Sequence, residues 1–151
     1  MITPAISRMD DRMDAIFTAM RADNSLSNYV KTRSRLLHPS LQDAADLKKG
    51  VLMLVSNGEG QYSKSQGQIA KKGQHEFVLI GHLKVDENKK DPVDAEAAEL
   101  DMAENIKTFV RAGVDGMSLY LDDIQNSWQQ EYPYGWIIVK LTAGSPGHSL
   151  S

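Results

Sequence analysis

The fold is decided by one stretch of the sequence, residues 75–85, which runs HEFVLIGHLKV. Successive side chains of a β-strand point to opposite faces, so every second residue of this stretch shares a face. One face is apolar and carries Phe77, Leu79, Leu83 and Val85. The other face carries Glu76, His82 and Lys84. We therefore expect a strand with one buried face, and Gly81 on that face predicts a bulge or close packing against a helix.

Other strand patterns lie on both sides of this stretch, each bounded by turn residues, at 29–37, 51–55, 117–128 and 134–142. Residues 51–55 form a continuous apolar run, which is typical of a central strand covered on both faces. The last two patterns are separated by a turn at residues 129–133, which favours an antiparallel pair.

Helical patterns occur at residues 4–21, 41–49 and 95–111. Thr3-Pro4 predicts the start of the first helix, as an N-cap followed by proline at the first helical position. The methionines of this helix fall on one stripe, which we expect to face the core. Asp94 is the expected N-cap of the helix at 95–111, and Gly113 is expected to end it.

The order helix, strand, strand, helix, strand, strand predicts an α+β fold. We expect a mostly antiparallel sheet of about four to five strands, with two main helices packed against one face. The 151 residues suit one domain, predicted over residues 1–142, followed by a loose tail at 143–151 that is rich in Gly, Ser, Pro and His.

Charge and composition narrow the classes of function. The chain has 17 Lys and Arg against 20 Asp and Glu, so it lacks the basic excess of proteins held on nucleic acid through phosphates. It has no cysteine, which excludes disulfides, thiolate zinc sites and cysteine nucleophiles. No apolar run approaches the roughly 20 residues that span a bilayer, and charged residues interrupt the N-terminus. We therefore expect a protein that is neither membrane-bound nor exported.

Motifs for catalysis or cofactor binding are weak. Residues 58–60 follow a strand as a phosphate loop does, but no third glycine and no Gly-Lys-Ser or Gly-Lys-Thr follows. His75 and His82 lie seven residues apart on one predicted strand, so they should point to opposite faces as edge or surface histidines. The candidates for general acid and base chemistry are Asp122, Asp123 and Glu131. We expect no catalytic residue, no cofactor and no metal.

Residues 56–74 contain four glycines and three lysines and almost no apolar residue, so this segment cannot fold on a core of its own. Two predictions stay open for it. It is either an arm or extended hairpin that orders against a partner, or a mobile surface loop.

Aromatic residues crowd the last predicted hairpin, at Trp128, Tyr132, Tyr134 and Trp136. Aromatic side chains fill cores and also anchor interfaces. We expect one tryptophan to pack inside, and Tyr132 and Tyr134, around Pro133, to lie on a contact surface.

The assembled pattern, from residue 4 to residue 142, resembles the small tail terminator proteins of long-tailed bacteriophages. The resemblance lies in the amphipathic N-terminal helix, the strand at 50–55, the Gly/Gln/Lys-rich excursion to the strand at 75–80, the acidic helix at 95–111 and the closing strand at 132–137. It implies a structural virion protein, assembled in the host cytoplasm, that forms a six-fold ring at the head-proximal end of the tail tube.

The resemblance also implies partners: further copies of the chain, the tail tube protein, and a head-tail connector or completion protein. DNA would pass through the ring without specific binding. Six copies at a formal charge of −3 carry −18 in total, and an acidic lumen repels the DNA backbone. No cofactor is implied.

The candidates for a subunit or tube interface are Lys64, Lys71, Lys72, Tyr62, Tyr132 and Tyr134. We expect the three lysines to meet acids on an adjacent subunit. One alternative is a tail completion or head-tail joining protein of similar size. From other classes, the alternatives are a small cytoplasmic enzyme that uses the acids at 122, 123 or 131, and a binding module with residues 56–74 as its partner surface.

Overall fold

The computed structural model describes residues 8–34, 44–60, 64–65, 68–69, 74–86, 88 and 90–144. The helices are α1 (Met9–Ala22), α2 (Ala44–Lys49) and α3 (Pro92–Ala112). The strands are β1 (Val30–Thr32), β2 (Val51–Gly60), β3 (Lys64–Ser65), β4 (Gln68–Ile69), β5 (Gln74–Lys84), β6 (Ser118–Asn126) and β7 (Tyr134–Gly144). A 3₁₀ turn, Asn24–Leu26, follows α1.

Five strands form a mixed sheet in the order β1-β2-β5-β7-β6. β1 pairs with β2 in parallel, and the other three pairings are antiparallel. β5, which contains the stretch quoted first, lies in the centre, with Leu79 opposite Leu54 of β2 and Val139 of β7. The predicted α+β class with a mostly antiparallel sheet is therefore confirmed.

The main core lies between the sheet and the two long helices. Phe77 and Leu79 of β5 are at most 1% exposed and belong to the same buried cluster as Phe109 of α3. Complete burial of such a side chain contributes about 1.5–3 kcal/mol. Gly81 lies on the same face, where a Cβ atom would overlap the Met102 sulfur of α3. The predicted close packing of this glycine against a helix is therefore confirmed.

The opposite face of the sheet is covered in part by α2. Leu47 of α2 forms a smaller buried cluster with Val51 and Met53 of β2 and with Ile80 of β5. The two main helices share one face as predicted, and α2 gives the apolar run of β2 the predicted cover on its other face. The residues of this face that stay partly exposed include Val55, Val78, Trp136 and Ile138.

The first helix begins later than predicted. Arg8 has an extended backbone (φ −80°, ψ 137°), and α1 starts after it at Met9. A continuous helix over residues 4–21 is therefore wrong, and the predicted start at Thr3-Pro4 lies outside the described residues.

The N-cap of α3 also differs from the prediction. Asp91 is the cap, because its carboxylate accepts a hydrogen bond from the Val93 N–H at 3.0 Å, and Pro92 follows at the first helical position. Asp94, the predicted cap, lies in the first turn instead. Gly113 ends the helix as predicted, with φ of 78°.

The last two strands differ from the prediction in extent. β6 ends at Asn126, so Trp128 belongs to the loop that follows. β7 continues to Gly144, and Ala143 is buried opposite His75 of β5. The predicted tail at 143–151 therefore begins too early, and residues 145–151 lie outside the described part of the chain.

Candidate functional site

The segment at residues 56–74 takes the form of an extended hairpin in the parts that the structure describes. The β2–β5 ladder continues to the pair formed by Gly60 and Gln74, with a register shift between Ser56 and Gly58. β3 and β4 form a further short antiparallel pair beyond it. The predicted extended hairpin is therefore confirmed, and its ordering against a partner stays a prediction. We call residues 56–74 the arm.

The predicted interface residues of the arm are described only in part. Tyr62, Lys71 and Lys72 lie outside the described residues. Lys64 begins β3, where its backbone pairs with Ile69. Their roles in subunit contacts stay predictions.

A buried ion pair ties the base of the arm to α1. The Arg12 guanidinium pairs with the Glu59 carboxylate, and the two side chains are 1% and 5% exposed. Arg12 belongs to the buried stripe of α1, beside Met13, and Glu59 lies near the outer end of β2. A buried charge that loses its partner is strongly destabilising, so the two groups hold each other in place. The pair fixes where the arm leaves the domain.

His75 is fully buried beside this ion pair. Its Nε2 lies 2.7 Å from the Ser56 Oγ, and its Nδ1 has no hydrogen-bond partner among the described residues. Burial lowers the pKa of His75, the charge of Arg12 lowers it further, and Glu59 acts in the opposite direction. The imidazole is therefore held in its neutral form.

The prediction that both strand histidines are edge or surface residues was wrong for His75. Odd-numbered positions of β5 face the two long helices, and that face is still covered at residue 75. His82 occupies an even-numbered position on the other face and is partly exposed. The two histidines therefore point to opposite faces, as predicted.

The lowered pKa of His75 predicts how stability depends on pH. In the unfolded chain this residue takes up a proton below its ordinary pKa of about 6.5. The folded protein takes it up only at lower pH, because a doubly protonated ring would bury an Nδ1–H without an acceptor. Unfolding then binds a proton, so the free energy of unfolding falls as the pH drops below about 6.5. Above that pH, His75 is neutral in both states and does not make the free energy of unfolding depend on pH.

Urea unfolding between about pH 5 and pH 8 measures this effect. His75→Gln retains a group that can reach Ser56 and removes the titration. We expect this variant to lose less stability than the wild-type chain as the pH falls through the window. Equal losses in the two proteins would contradict the prediction.

The aromatic residues of the last hairpin have different environments. Tyr132 is partly buried against the main core, and Tyr134 packs on the smaller cluster, with the Lys84 Nζ 5.6 Å from its ring centroid. Trp136 is partly buried on β7, whereas Trp128 is 77% exposed. Interface roles for Tyr132 and Tyr134 stay predictions, and Trp128 is the aromatic side chain that the loop presents to solvent.

The three acids considered for acid and base chemistry have separate environments. Asp122 is the extra residue of a bulge in β6 and accepts a hydrogen bond from the Thr142 Oγ1. Asp123 accepts one from the Gln125 amide at 3.4 Å. Glu131 lies in the loop between β6 and β7. Within the described part of the chain, no group of three or more His, Asp or Glu residues is placed to hold a metal ion.

A cleft of about 570 Å³ opens at the end of the sheet where β2 begins and β5 ends. Its lining combines apolar side chains with charged ones, among them Leu83, Val85, Met102, Lys48, Lys49 and Asp101. Tyr29 also lines it, and its hydroxyl accepts a hydrogen bond from the Asn105 amide at 2.7 Å. Burial raises the pKa of Tyr29, so this hydroxyl stays protonated at neutral pH.

These features define an α+β domain with a hairpin arm that extends beyond its core. No family model matches the chain, and no curated protein matches its sequence. Across the residues that the structure describes, no helix is both long and apolar enough to cross a membrane.

Proposed function

We propose that this chain is a structural virion subunit like the tail terminator proteins of long-tailed bacteriophages, and not an enzyme. Copies of it form a ring that caps the tail tube, stops tube polymerisation and provides the surface for head attachment. The observation that carries the proposal is the arm, whose ladder runs on to Gly60 and Gln74. The buried pair of Arg12 and Glu59 fixes its base, so the arm leaves in a defined direction and can reach a neighbouring copy.

The charge distribution supports contact between copies. Residues 60–74 contain three lysines and no acid, whereas α3 carries the exposed acids Asp101 and Glu104. Opposite charges on two different surfaces of one chain favour a head-to-tail contact between copies and disfavour contacts between like surfaces. Repetition of such a contact closes a ring when the angle between successive copies is right.

Native mass spectrometry of the full chain tests ring formation. Six chains of 16.7 kDa give a ring of about 100 kDa. We expect this species to appear as the protein concentration is raised. A chain that stays monomeric up to about 1 mM would overturn the proposal, because its self-association would then be weaker than specific interfaces allow.

Electron microscopy of particles made without this gene tests the role of the ring. Tubes of uncontrolled length without heads would support termination. Tails of normal length that fail to join heads would replace termination with the alternative, a tail completion or head-tail joining protein. Ordinary infectious particles would overturn both.

Charge reversal in the arm tests the predicted lysine contacts. We expect the combined change of Lys64, Lys71 and Lys72 to glutamate to abolish the ring, because it places like charges opposite the acids of α3. The control changes Arg8, Lys89 and Lys90 to glutamate, which alters the net charge equally outside both the arm and α3. Native mass spectrometry should then show rings for the control and monomers for the arm variant. Rings in both variants would count against the arm contact.

A further inference from the structure

Trp128 lies in the loop between β6 and β7 and has the most exposed side chain among the large hydrophobic residues that the structure describes. It is 77% exposed, whereas Val93, the next of these residues, is 50% exposed. An exposed tryptophan is unfavourable in water and is typical of the residues that dominate protein interfaces. Among the residues that the structure describes, no packing contact accounts for this exposure.

The loop that carries Trp128 is anchored on both sides of this residue. Just before it, Ser127 donates two hydrogen bonds to the carboxylate of Glu99 on α3, one from its N–H at 3.1 Å and one from its hydroxyl. Glu99 is fully buried. On the far side, the Pro133 carbonyl accepts a hydrogen bond from the Val85 N–H at 2.9 Å. An indole presented from an anchored loop loses little conformational entropy when it binds.

The backbone of Trp128 is itself strained. Its φ is 59°, and that of Gln129 is 65°, both in the left-handed region that residues other than glycine rarely occupy. Such conformations persist where surrounding contacts enforce them, and they concentrate at binding sites and clamps. Strain and exposure at the same residue both indicate a binding role.

The cleft of about 570 Å³ suits an indole. Tyr29, Ala97 and Ala98, which keep accessible surface, supply apolar contact, and Lys48 and Lys49 supply cations for the face of the ring. The acids of α3 that also line the cleft, Asp94 and Asp101, can accept a hydrogen bond from the indole N–H.

Trp128 and the cleft lie at the same end of the sheet but toward different edges of it. The cleft is lined where β2 begins and β5 ends, and the loop follows β6, the edge strand, with β7 between them. A ring closes only if successive copies are related by rotation without a rise, so its two contact patches lie at one level along the axis. In a ring whose axis runs parallel to the strands, these two patches meet that condition.

We propose that Trp128 of one copy inserts into this cleft of the next copy and anchors the ring. The proposal rests on the ring of the proposed function and names the contact that closes it. One tryptophan buries about 150–250 Å², whereas a stable interface buries about 800 Å² on each partner. Trp128 is therefore one anchor of a wider lateral contact between copies.

Trp128→Gly tests this contact without destabilising the folded chain. Glycine relieves the strained backbone and removes a side chain that packs on little, so the variant should unfold at or above the wild-type temperature. We expect it to weaken ring formation about thirtyfold or more, as loss of an interface hot spot does. The matched control is Gln129→Gly, which relieves a similar backbone and retains the indole. The control should form rings as the wild-type chain does.

The direction of the contact is tested by blocking the cleft. Ala97 is an exposed residue of α3 that lines the cleft, so Ala97→Arg should fill the cleft and leave the chain monomeric. The control, Ala112→Arg, changes an exposed position outside the cleft and should still form rings. An equal mixture of Trp128→Gly and Ala97→Arg retains one intact contact. Native mass spectrometry should then show a heterodimer of two 16.7 kDa chains, about 33 kDa, and nothing larger.

The outcomes separate this proposal from the proposed function. A wild-type chain that never forms a ring overturns the proposed function and the contact with it. Rings of unchanged strength from Trp128→Gly, or their loss from Gln129→Gly, overturn the contact alone. Rings in the mixture would also overturn it, because every second contact in such a ring lacks both the indole and an open cleft.

Discussion

Replacing Arg12 with alanine is expected to lower the free energy of unfolding by about 3–5 kcal/mol. The change leaves the carboxylate of Glu59, whose side chain is 5% exposed, buried without its guanidinium. Neither water nor a charged group of similar reach can replace a planar guanidinium inside a packed core. Urea denaturation of the full chain at neutral pH measures the loss.

The control is a second arginine with a carboxylate partner, at the start of the same helix. Arg8 pairs with Asp10 at 2.9 Å, but the two side chains are 74% and 62% exposed. Water screens an exposed pair, so Arg8→Ala should change the free energy of unfolding very little. Similar losses for the two alanine variants would contradict the argument from burial.

Replacing both Arg12 and Glu59 distinguishes the free-energy cost of burying one charge without its partner from the stability that the pair itself contributes. We expect Arg12→Met combined with Glu59→Leu to be far more stable than Arg12→Ala, and close to the wild-type chain, because apolar residues of similar volume often replace a buried pair without loss. The two single changes should therefore be strongly non-additive. Additive losses would mean that the two charges do not interact.

The strands and long helices were predictable because their signals are local. The alternation at residues 75–85 follows from the geometry of one strand and needs no knowledge of its neighbours, and β5 spans Gln74–Lys84. Boundaries were less predictable where two residues could serve one role. Asp91 and Asp94 are both good caps in sequence, and the chain uses the one that precedes Pro92.

The buried cluster at the base of the arm could not be predicted, because its members come from three separate elements. Arg12 and Glu59 are 47 residues apart, and they meet only through the register of β2 and the placement of α1. The sequence does contain one signal, since Arg12 falls within the apolar stripe of α1. A charge at such a position indicates a buried partner but does not identify it.

Trp128 was placed inside a strand for a similar reason. Aromatic residues favour strands, and left-handed backbone is rare for residues other than glycine, so local preferences opposed the observed loop. The loop depends on Ser127 reaching Glu99 on α3, a contact between distant segments. The candidate anchor of the proposed ring is therefore visible only in the folded chain.

Phe77→Ala is expected to lower the free energy of unfolding by about 3–5 kcal/mol. Phe77 is 1% exposed in the main core, on the face of β5 that α1 and α3 cover, so truncation leaves a cavity among residues that cannot collapse to fill it. Urea denaturation measures the loss. The matched control is Val78→Ala, the next residue along the same strand.

Val78 points to the other face, where its side chain stays partly exposed, so its truncation should cost about 1 kcal/mol or less. The contrast between neighbours tests the register, because a slip of one residue would exchange the two faces. Equal losses would mean that both faces are sealed within one chain. A large difference leaves the Val78 face free to be covered by another protein.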